Sequence, residues 1–410
     1  MKKIAIIGGG ISGCLTAIHY SNLGYNVEIF EKDNFLGGIM KDLETKNDFY
    51  FNGPNYFEAD SWWVKELKKD TLFKNFFCNF KLKYGSYNDL FNAKIYSHDF
   101  AQIVTNNKFT KIEKKNSKLY INRISSYQDI ISLPLLNWSN KFCSQSKKLH
   151  ESCSLLTNTG RVFFKNDIKK ILDLKRKNNY ANKILGIPDI NYKKENYCIP
   201  KKGFRFFFET LYKYLKKNKI KVNLGSRILI ENNFGLSLYN NKEKIIFDYA
   251  IWCASPVPLI NKTKIGNLDN PIVKVKTIAY DIKLKNRFNG NIYIQVFAKK
   301  NNLFRIFIYK IRNKIKMSLE LIIDKNIDVE VETKLAIKIL NNMGYLIKKN
   351  LYATDKKEVR HMLYTVSDLK KFELFEKKEN EFKIISGAWY EIGRENKINQ
   401  IIKRSTRYIQ

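Results

Sequence analysis

The hydrophobic pattern at the start of the chain predicts a strand, a helix and a second strand. Lys3–Ile7 is short and almost wholly apolar, as is typical of a strand buried on both faces of a parallel sheet. Residues 14–23 place apolar side chains at helical spacing and end at Gly24, which is a plausible helix stop. Residues 25–30 form the second strand. This order indicates a βαβ unit.

The pattern changes in the second half of the chain. Four segments alternate between apolar and polar positions, which predicts antiparallel strands with one buried face: residues 271–284, 291–298, 303–311 and 316–323. Residues 330–343 have helical spacing and end at Gly344. Further helical stretches are predicted around residues 127–149 and 167–177. Strands and helices therefore both contribute to this part of the chain.

A glycine-rich loop joins the first strand to the helix and reads Gly-Gly-Gly-Ile-Ser-Gly. It matches the G-x-G-x-x-G pattern. Gly8 permits a tight turn, Gly10 lets the backbone approach a pyrophosphate, and Gly13 lets helix and strand pack closely. The helix N-terminus around Ile11 and Ser12 offers unpaired N–H groups and a partial positive charge to phosphates. The loop therefore predicts an ADP-binding site.

An acidic residue, Glu31, stands at the end of the second strand. It lies roughly 20 residues beyond the glycines, where a carboxylate accepts hydrogen bonds from a ribose. Lys32 follows it and is included in the predicted cofactor site. An acid at this place argues against a ribose 2′-phosphate, so NADP is disfavoured.

A second pair of glycines follows this acid. Gly37 and Gly38 come six residues after Glu31. They resemble the acid-then-double-glycine extension of FAD-binding proteins in the amine oxidase, protoporphyrinogen oxidase and UDP-galactopyranose mutase group. In that group the paired glycines let the chain pass close to the flavin side of the cofactor. The resemblance implies FAD rather than NAD. We expect it to be non-covalent, because no Cys or His stands in an attachment context.

The segment Asn-Gly-Pro-Asn-Tyr-Phe at residues 52–57 resembles the same group. There a Gly-Pro-His-hydrophobic-Phe stretch of the mutases lies against the flavin ring. Gly53 and Pro54 match this stretch, whereas Asn55 occupies the usual histidine position. An amide can donate or accept a hydrogen bond near the ring but does not titrate near neutrality.

A third resemblance lies near the middle of the chain. Residues 199–205, the helix that follows them and the run 220–230 are similar to the family's Pro-x-Gly-Gly, helix and strand. In this alignment Ile228 falls at the adenine-contacting position, and Lys202 replaces one glycine. Residues 247–256 resemble the next core strand and the turn that returns the chain to the FAD domain.

The C-terminus resembles the family's last motif, in which a Gly-Arg strand precedes a helix. The N-terminal amides of that helix meet the ribityl chain and the pyrophosphate. Here Ala388 replaces the arginine. Ile398, Asn399 and Gln400 are expected at the start of the helix, where an asparagine is favourable.

Together these segments predict an α/β fold with a discontinuous, Rossmann-like FAD-binding domain and an inserted α+β substrate domain that contains an antiparallel sheet. The FAD-binding domain is expected to comprise residues 1–70, 199–260 and 380–410. The substrate-binding domain is expected to comprise residues 71–198 and 261–379.

Charge is the unusual feature of the composition. The 410 residues include 74 Lys and Arg against 39 Asp and Glu, a formal net charge of +35. The lysines are spread along the chain together with abundant Asn, Ile, Tyr and Phe, which favours a bias towards AT-rich codons. Attraction to an anionic metabolite comes second. No nucleic-acid-binding signature accompanies the charge, and peripheral contact with an anionic membrane is a disfavoured alternative.

The cysteines and the hydropathy pattern narrow the class further. Six scattered cysteines form no C-x-x-C pair, so no metal site is predicted and reduced thiols are expected. No run of about 18 apolar residues predicts a transmembrane helix. A cytoplasmic location is therefore expected, while the oligomeric state is left open.

The resemblance implies an FAD-dependent oxidoreductase that transfers a hydride from a small substrate, sugar-linked or anionic among the options, to the flavin. The alternatives are a mutase-like isomerase that uses reduced FAD as a nucleophile and a non-catalytic flavin-binding protein. Asn55, Arg305 and Tyr364 are the candidate catalytic residues. Arg305 lies on an alternating strand, where it would point at an anionic substrate or be ion-paired. Tyr364 is expected to face the flavin.

Overall fold

The fold is seen in a computed structural model. It describes residues 2–44, 48–114, 118–141, 146–157, 159–186, 196–231, 236–240, 243–269, 271–285, 288, 290–323, 327–348, 353–391 and 393–409. The α-helices are α1 Ile11–Asn22, α2 Trp62–Lys69, α3 Tyr120–Ile124, α4 Asp129–Ser139, α5 Cys153–Leu156, α6 Ile168–Lys177, α7 Asn179–Ile184, α8 Gly203–Lys217, α9 Val257–Ile260, α10 Val329–Asn342, α11 Val366–Lys377, α12 Glu379–Phe382 and α13 Arg394–Ile409.

The strands of the first half are β1 Lys3–Ile7, β2 Asn26–Phe30, β3 Leu43–Glu44, β4 Phe49–Tyr50, β5 Phe57–Glu58, β6 Phe77–Phe80, β7 Leu82–Asn88, β8 Ile95–His98, β9 Ile103–Thr105, β10 Val162–Phe164 and β11 Tyr197–Pro200. Those of the second half are β12 Lys221–Asn223, β13 Ile228–Glu231, β14 Ser237–Asn240, β15 Glu243–Lys244, β16 Tyr249–Trp252, β17 Ile272–Leu284, β18 Asn291–Phe297, β19 Leu303–Ile311, β20 Lys314–Ile322, β21 Ile347–Lys348, β22 Ala353–Met362 and β23 Ile384–Ser386.

A five-stranded parallel sheet contains the predicted βαβ unit. Its order is β12-β2-β1-β16-β23. Strand β1 is central, and its alternate residues serve two cores: Ile4 and Ile6 lie in one, Ala5 and Ile7 in the other. The strands come from three separate parts of the chain, so the Rossmann-like layer is discontinuous, as predicted. The exact domain boundaries stay a prediction.

Helices α1 and α13 pack together beside this sheet. The Tyr20 hydroxyl donates to Ser405 Oγ at 2.5 Å. Ile398 and Ile401 of α13 are fully buried in the same core as Ile6. The first and last helices of the chain therefore lie side by side, with the glycine-rich loop at the start of α1.

Six strands of the second half and β7 and β8 of the first half build an eight-stranded sheet, in the order β21-β17-β20-β19-β18-β7-β8, with β22 on β17. The sheet is mixed, because β18 pairs with β7 in parallel. Strands β17 to β20 agree with the four predicted segments, and they pair antiparallel as expected. The prediction of one buried face holds at both ends of β17, where buried and exposed residues alternate. It is wrong for β18, in which every residue is buried, and for most of β19 and β20. Residues of α10, such as Ile339, cover one side of the sheet beside Ile294.

The short segment that precedes Asn52 is bound to the eight-stranded sheet. The Phe51 N–H donates to the Tyr309 hydroxyl at 2.7 Å, and Ser318 Oγ donates to the Phe51 carbonyl at 2.7 Å. Lys316 Nζ donates to the Phe49 carbonyl at 2.6 Å. Strands β19 and β20 therefore fix the segment in which the sequence predicts a flavin contact.

Two other predictions were wrong in detail. The run 220–230 is not one strand: Gly225, at φ +66°, turns the chain between β12 and β13, which belong to different sheets. The helix predicted over residues 127–149 ends at Ser139. Residues 142–145 lie outside the described residues.

The described residues contain neither a metal-binding group of side chains nor a membrane-spanning helix. Four cysteines in this part of the chain are free thiols: Cys14, Cys78, Cys198 and Cys253. No group of three His, Cys, Asp or Glu side chains there could hold a metal ion. None of its helices combines the length and the apolar character needed to cross a bilayer.

Candidate functional site

The glycine-rich loop crosses the carboxyl-terminal edge of the parallel sheet with almost no room for side chains. Gly8 has φ +108°, and a Cβ on it would lie 2.9 Å from the Ala254 nitrogen. A Cβ on Gly13 would lie 1.9 Å from the Gly8 carbonyl oxygen. A Cβ on Gly10 would meet no protein atom within 4 Å. Gly8 and Gly13 are thus required by the turn and the packing, while nothing in the protein's own packing requires Gly10.

Glu31 is held against this loop. Only 6% of the residue is exposed, and its Oε2 atom accepts a hydrogen bond of 2.6 Å from the Gly9 N–H. Its Oε1 atom accepts one of 2.9 Å from the Asp33 N–H. The neighbouring Lys32 is exposed. The carboxylate therefore has a fixed position at the end of β2, beside the loop.

The end of β2 also determines where Ile228 lies. The Ser226 N–H donates to the Glu31 carbonyl at 2.7 Å, which brings the start of β13 next to the acid. Ile228, at the start of β13, is half-buried. Its position two residues from this contact agrees with a place beside a nucleoside, although the adenine contact itself stays a prediction.

The double glycine packs directly on the loop. The Gly37 N–H donates to the Gly9 carbonyl at 3.0 Å. Gly37 has φ +126°, and a Cβ on it would lie 2.8 Å from the Phe208 ring. A Cβ on Gly38 would lie 3.6 Å from the Gly10 Cα atom. The chain can follow this path only without side chains, and the next residue, Ile39, is 64% exposed.

The segment with the Gly-Pro motif lies close to Ile39. Asn52 Nδ2 donates to the Ile39 carbonyl at 3.2 Å, while the buried Asn52 Oδ1 atom has no hydrogen-bond partner among the described residues. Gly53 has φ +76°, and a Cβ on it would lie 2.3 Å from the Glu320 Oε1 atom. Pro54, next to it, is half-buried. The turn is thus pressed against β20.

Asn55 is oriented by two neighbours. Its Nδ2 donates to the Asn52 carbonyl at 2.8 Å, and its Oδ1 accepts a bond of 3.3 Å from Arg394 Nη2. Arg394 also donates to the Tyr56 carbonyl. The amide therefore has one fixed orientation, set by the first residue of α13.

Arg305 faces this turn from β19 and is ion-paired. Its Nη1 atom lies 3.2 Å from Glu320 Oε2, with 18% and 8% of the two side chains exposed. The guanidinium also stacks on the Phe304 ring, 4.1 Å from the centroid. The ion-paired alternative for Arg305 is therefore the one observed.

His361 lies within the electrostatic range of this pair. Burial lowers the pKa of its imidazole, while the Glu320 carboxylate acts in the opposite direction. Its Nε2 atom is buried and accepts or donates no hydrogen bond within the described part of the chain. A neutral imidazole is therefore expected near pH 7.

A wall of aromatic side chains completes this region. The Tyr56 ring is edge-on to the Tyr197 ring, with the centroids 4.8 Å apart, and tilted to the Phe307 ring, with the centroids 6.3 Å apart. The Tyr84 and Tyr197 hydroxyls are 2.9 Å apart, and Tyr293 donates to Gln295 Oε1 at 2.7 Å. Burial raises the pKa of Tyr56 to about 12. The phenols therefore stay neutral and offer flat, uncharged surfaces.

The start of the last helix was wrongly predicted. Helix α13 begins at Arg394, so Ile398, Asn399 and Gln400 lie in its second turn. Ile398 is fully buried in the core, and Asn399 Oδ1 accepts a bond of 3.1 Å from the Trp62 indole N–H. These residues therefore have no helix-capping role, and the N–H groups at the helix start belong to earlier residues.

Tyr364 lies in a packed core instead of beside Asn55. Its hydroxyl donates to the Trp389 carbonyl at 2.5 Å, and its ring is edge-on to Phe372 at 5.3 Å. Its backbone N–H donates to Cys153 Sγ at 3.4 Å. Of the three candidate catalytic residues, the structure brings together only Asn55 and Arg305, on the two sides of Gly53.

The N-terminal part of the chain matches a family model. Residues 6–69 match the NAD(P)-binding Rossmann-like domain. The match continues past the βαβ unit and includes both the double glycine and the Gly-Pro segment. It covers the part of the chain that forms the loop edge of the parallel sheet.

Solved structures match the whole chain. A reduced UDP-galactopyranose mutase superposes over 100% of this chain and 96% of that one, with a TM-score of 0.71 and 13% identity. The chain has the fold of the FAD-dependent amine oxidase-like superfamily. A redesigned putrescine oxidase of this superfamily matches over 100% and 99%, with a TM-score of 0.56 and 10% identity. At these identities the likeness shows the fold alone, and the predicted fold class is confirmed.

Curated relatives resemble only the N-terminal segment of the chain. The 4,4′-diaponeurosporene oxygenase of Staphylococcus haemolyticus (strain JCSC1435) is 41% identical over 54 residues, 13% of this chain and 11% of that protein. The 4,4′-diapophytoene desaturase of Staphylococcus aureus (strain COL) is 45% identical over 53 residues, 13% and 10% of the two chains. The chain therefore matches about a tenth of the length of these relatives.

Sequence reasoning missed three residues near the Gly53 turn, namely Glu320, Tyr293 and Arg394. Glu320 and Tyr293 lie on strands that looked half-exposed, so nothing marked them. Arg394 carried a usable signal: it is a cation in the first turn of α13, where the helix dipole disfavours positive charge. Placing that helix start after Gly393 would have exposed the anomaly.

Proposed function

We propose that the chain binds FAD non-covalently along the carboxyl-terminal edge of the five-stranded sheet and acts as an FAD-dependent oxidoreductase. The proposed reaction transfers a hydride from a small substrate to the flavin. The convergence of the glycine-rich loop, the double glycine, the Gly-Pro segment and the start of α13 at one edge supports this site. Ligands of open α/β sheets bind at that edge.

Three features of the edge fit FAD. The position over Gly10 is free of protein atoms within 4 Å of a built Cβ. Ile39 exposes 64% of its surface between the loop and the Gly-Pro segment. The buried Asn52 Oδ1 atom has no partner in the described part of the chain, and a buried acceptor normally has one. Bound FAD would cover Gly10 and Ile39 and would donate a hydrogen bond to Asn52 Oδ1.

The proposed contacts follow from these positions. The N–H groups from Gly8 to Gly13 would bind the pyrophosphate, Glu31 would bind the ribose, and Ile228 would lie beside the adenine. Gly37, Gly38, Gly53, Pro54 and Asn55 would line the isoalloxazine. When bound, FAD supplies a ring that accepts and returns a hydride.

The ion pair of Arg305 with Glu320 is the observation that favours an oxidoreductase over a mutase. A nucleotide-sugar substrate brings a diphosphate, which normally requires unpaired cations. The charge of Arg305 is already matched by Glu320 at 3.2 Å, and the adjacent wall of Tyr56, Tyr293 and Phe307 is uncharged. These observations favour a substrate whose reacting part is neutral and packs against aromatic rings.

Other residues of the site orient the substrate and exclude water. Asn55 is fixed by Arg394 and cannot titrate near neutrality. His361 is half-buried and its pKa is lowered by burial, so its buried Nε2 atom can accept or donate a single hydrogen bond. The phenols of the aromatic wall donate to one another and to Gln295. These residues would therefore hold a substrate by shape and a few neutral hydrogen bonds, and bound FAD would supply the ring that accepts the hydride.

A mutase is the second candidate. The Gly53-Pro54 pair resembles the mutase motif, and the reduced UDP-galactopyranose mutase superposes on the whole chain with a TM-score of 0.71. In this alternative the substrate would be a nucleotide sugar and no net oxidation would occur. Arg394 would then have to contribute to phosphate binding besides its two bonds to Asn55 and Tyr56.

The test begins with the visible spectrum of the purified chain and chromatography of any cofactor released on denaturation. FAD at about one per chain is expected. The protein is then reduced without oxygen and divided between oxygenated buffer and UDP-galactopyranose. Reoxidation without sugar isomerisation supports the oxidoreductase, and isomerisation by the reduced protein supports the mutase. A colourless protein that takes up no added FAD would overturn both. A Gly10→Val variant provides the matched control for specific uptake.

A further inference from the structure

Alternate side chains of β20 hold alternate residues of the segment that leads to the Gly-Pro turn. Lys316 Nζ donates to the Phe49 carbonyl at 2.6 Å, and Ser318 Oγ donates to the Phe51 carbonyl at 2.7 Å. The Phe51 N–H donates to the Tyr309 hydroxyl at 2.7 Å. Both bonds from β20 join residues that are 267 positions apart, so the segment lies on the strand in a single register, in the parallel direction.

The same register continues to Gly53 and Glu320. A Cβ on Gly53 would lie 2.3 Å from the Glu320 Oε1 atom and 2.8 Å from its Cδ atom. The carboxylate has little freedom to move, because it is buried and paired with Arg305. A shift of the segment by one residue along β20 would bring Asn52 or Pro54 to this place, and Gly53 is the only glycine between residues 39 and 84. The turn therefore fits β20 in one register.

Lys316 is an unusual residue for the interior of a sheet. It is fully buried, its Nζ atom lies 2.5 Å from Asp48 Oδ1, and the ammonium lies 4.0 Å from the centroid of the Tyr50 ring. A buried ion pair adds little stability beyond that of apolar side chains of the same size, and its best-attested role is to fix a register. Lys316 makes the first of the contacts with the segment and therefore fits this role.

These contacts lie on one face of the eight-stranded sheet. Leu319, between Ser318 and Glu320, points to the opposite face and packs in the core that contains Ile339 of α10. The face towards the segment also carries Arg305, which is the cross-strand neighbour and ion-pair partner of Glu320. The strand that holds the turn expected beside the flavin therefore also holds the ion pair expected beside the substrate.

We propose that Lys316 and Ser318 are positioning residues of the flavin site: they fix the register of residues 49–53 on β20 and so hold the Gly53-Pro54 turn where it can contact the isoalloxazine. This inference rests on the proposed FAD site, and it gives the eight-stranded sheet a part in cofactor binding. In this arrangement neither side chain contacts FAD. Both act through the backbone of the segment, so that the turn and the ion pair keep one relative position.

The experiment compares Ser318→Ala and Lys316→Met with Thr333→Val in the full-length protein. Thr333 of α10 lies with its Oγ1 atom 2.7 Å from the Tyr280 hydroxyl, in the core on the other face of the same sheet. Thr333→Val also deletes one buried hydrogen bond and is therefore the matched control. Hydrogen exchange of residues 49–55 is followed by mass spectrometry in flavin-free protein. FAD affinity, the visible spectrum of the bound flavin and the melting temperature are measured for each variant.

Ser318→Ala should raise the exchange rate of residues 49–55 and weaken FAD binding, each by about 5- to 10-fold, as for the loss of one hydrogen bond. The absorption maxima of the bound flavin should shift. Lys316→Met should show larger changes of the same kind, and Ser318→Ala alone decides if that variant does not fold. Thr333→Val should lower the melting temperature without any of these effects.

Unchanged FAD affinity and an unchanged flavin spectrum in Ser318→Ala would overturn the proposal, as would equal effects in Thr333→Val. A wild type that binds no FAD would instead refute the proposed function, and the exchange rates would still show whether β20 holds the segment.

Discussion

The Nη1 atom of Arg305 lies 3.2 Å from the Oε2 atom of Glu320, and this pair presses against the turn at Gly53. The two residues are cross-strand neighbours in β19 and β20. Their mutual neutralisation removes the free positive charge that Arg305 would otherwise present beside the predicted flavin. Under the proposed function, the pair therefore disfavours an anionic substrate at this position.

Removing one partner of this pair should lower the free energy of unfolding. Arg305→Leu leaves the Glu320 carboxylate buried without its counter-charge, and such losses typically cost about 3–5 kcal/mol. Urea unfolding of the variant should show this decrease in the free energy of unfolding. The double variant Arg305→Leu/Glu320→Leu should recover most of the loss, because no charge is then left unpaired. A single variant as stable as the wild type would contradict the pairing.

Substitutions of the loop glycines should distinguish an effect on FAD binding from an effect on the stability of the fold. Gly10→Ala places its methyl group where no protein atom lies within 4 Å, so the stability of the flavin-free protein should change by less than about 1 kcal/mol. FAD binding should fall, because the methyl group would occupy the approach of the pyrophosphate.

Gly13→Ala is the matched comparison. Its Cβ would lie 1.9 Å from the Gly8 carbonyl oxygen, and overpacking of this kind costs about 1–3 kcal/mol. Thermal melting without FAD and fluorescence titration with FAD separate the two effects. Equal destabilisation by both substitutions would show that Gly10 also serves packing.

Tyr364→Phe should reduce stability without affecting the flavin. The hydroxyl donates to the Trp389 carbonyl, and an unsatisfied buried acceptor costs about 1–3 kcal/mol. The flavin spectrum and the rate of reoxidation should be those of the wild type. A changed rate with unchanged stability would restore the catalytic role that the sequence predicted.

Glu379 should make stability depend on pH. Burial raises the pKa of its carboxyl from 4.5 to about 7, although the Ser386 N–H donates to it at 2.7 Å. Because the pKa is raised in the folded state, the protonated carboxyl of Glu379 contributes to the free energy of unfolding. This contribution is complete below pH 4.5 and is lost as the pH rises to about 7. The loss is on the order of 3 kcal/mol.

The measurement compares Glu379→Gln with the wild type in urea unfolding between pH 5 and 8, a range that includes the raised pKa of about 7. The variant should gain stability relative to the wild type as the pH rises, because glutamine carries no charge. Glu381→Gln, which changes an exposed carboxylate in the same short helix, should show no such trend. Parallel pH curves for the wild type and Glu379→Gln would refute the assignment.

Short-range features were predicted well. Strand β1, the loop and α1 follow one another within 22 residues, and the requirement for glycine at positions 8 and 13 is a local steric constraint. Strands β17 to β20 were located for the same reason, since alternation is a property of neighbouring residues. The burial of β18 to β20 on both faces was missed, because it depends on α10 and on the segment before Asn52.

The sequence by itself determined the presence of a nucleotide-binding βαβ unit, the strands of the second sheet and the resemblance to a flavoprotein family. Tertiary structure decided which charges are paired and where α13 begins. Arg305 meets Glu320 only when β19 and β20 are in register, and Arg394 reaches Asn55 across 339 positions of the chain. Such contacts depend on the packing of distant segments, and no local pattern of residues encodes them.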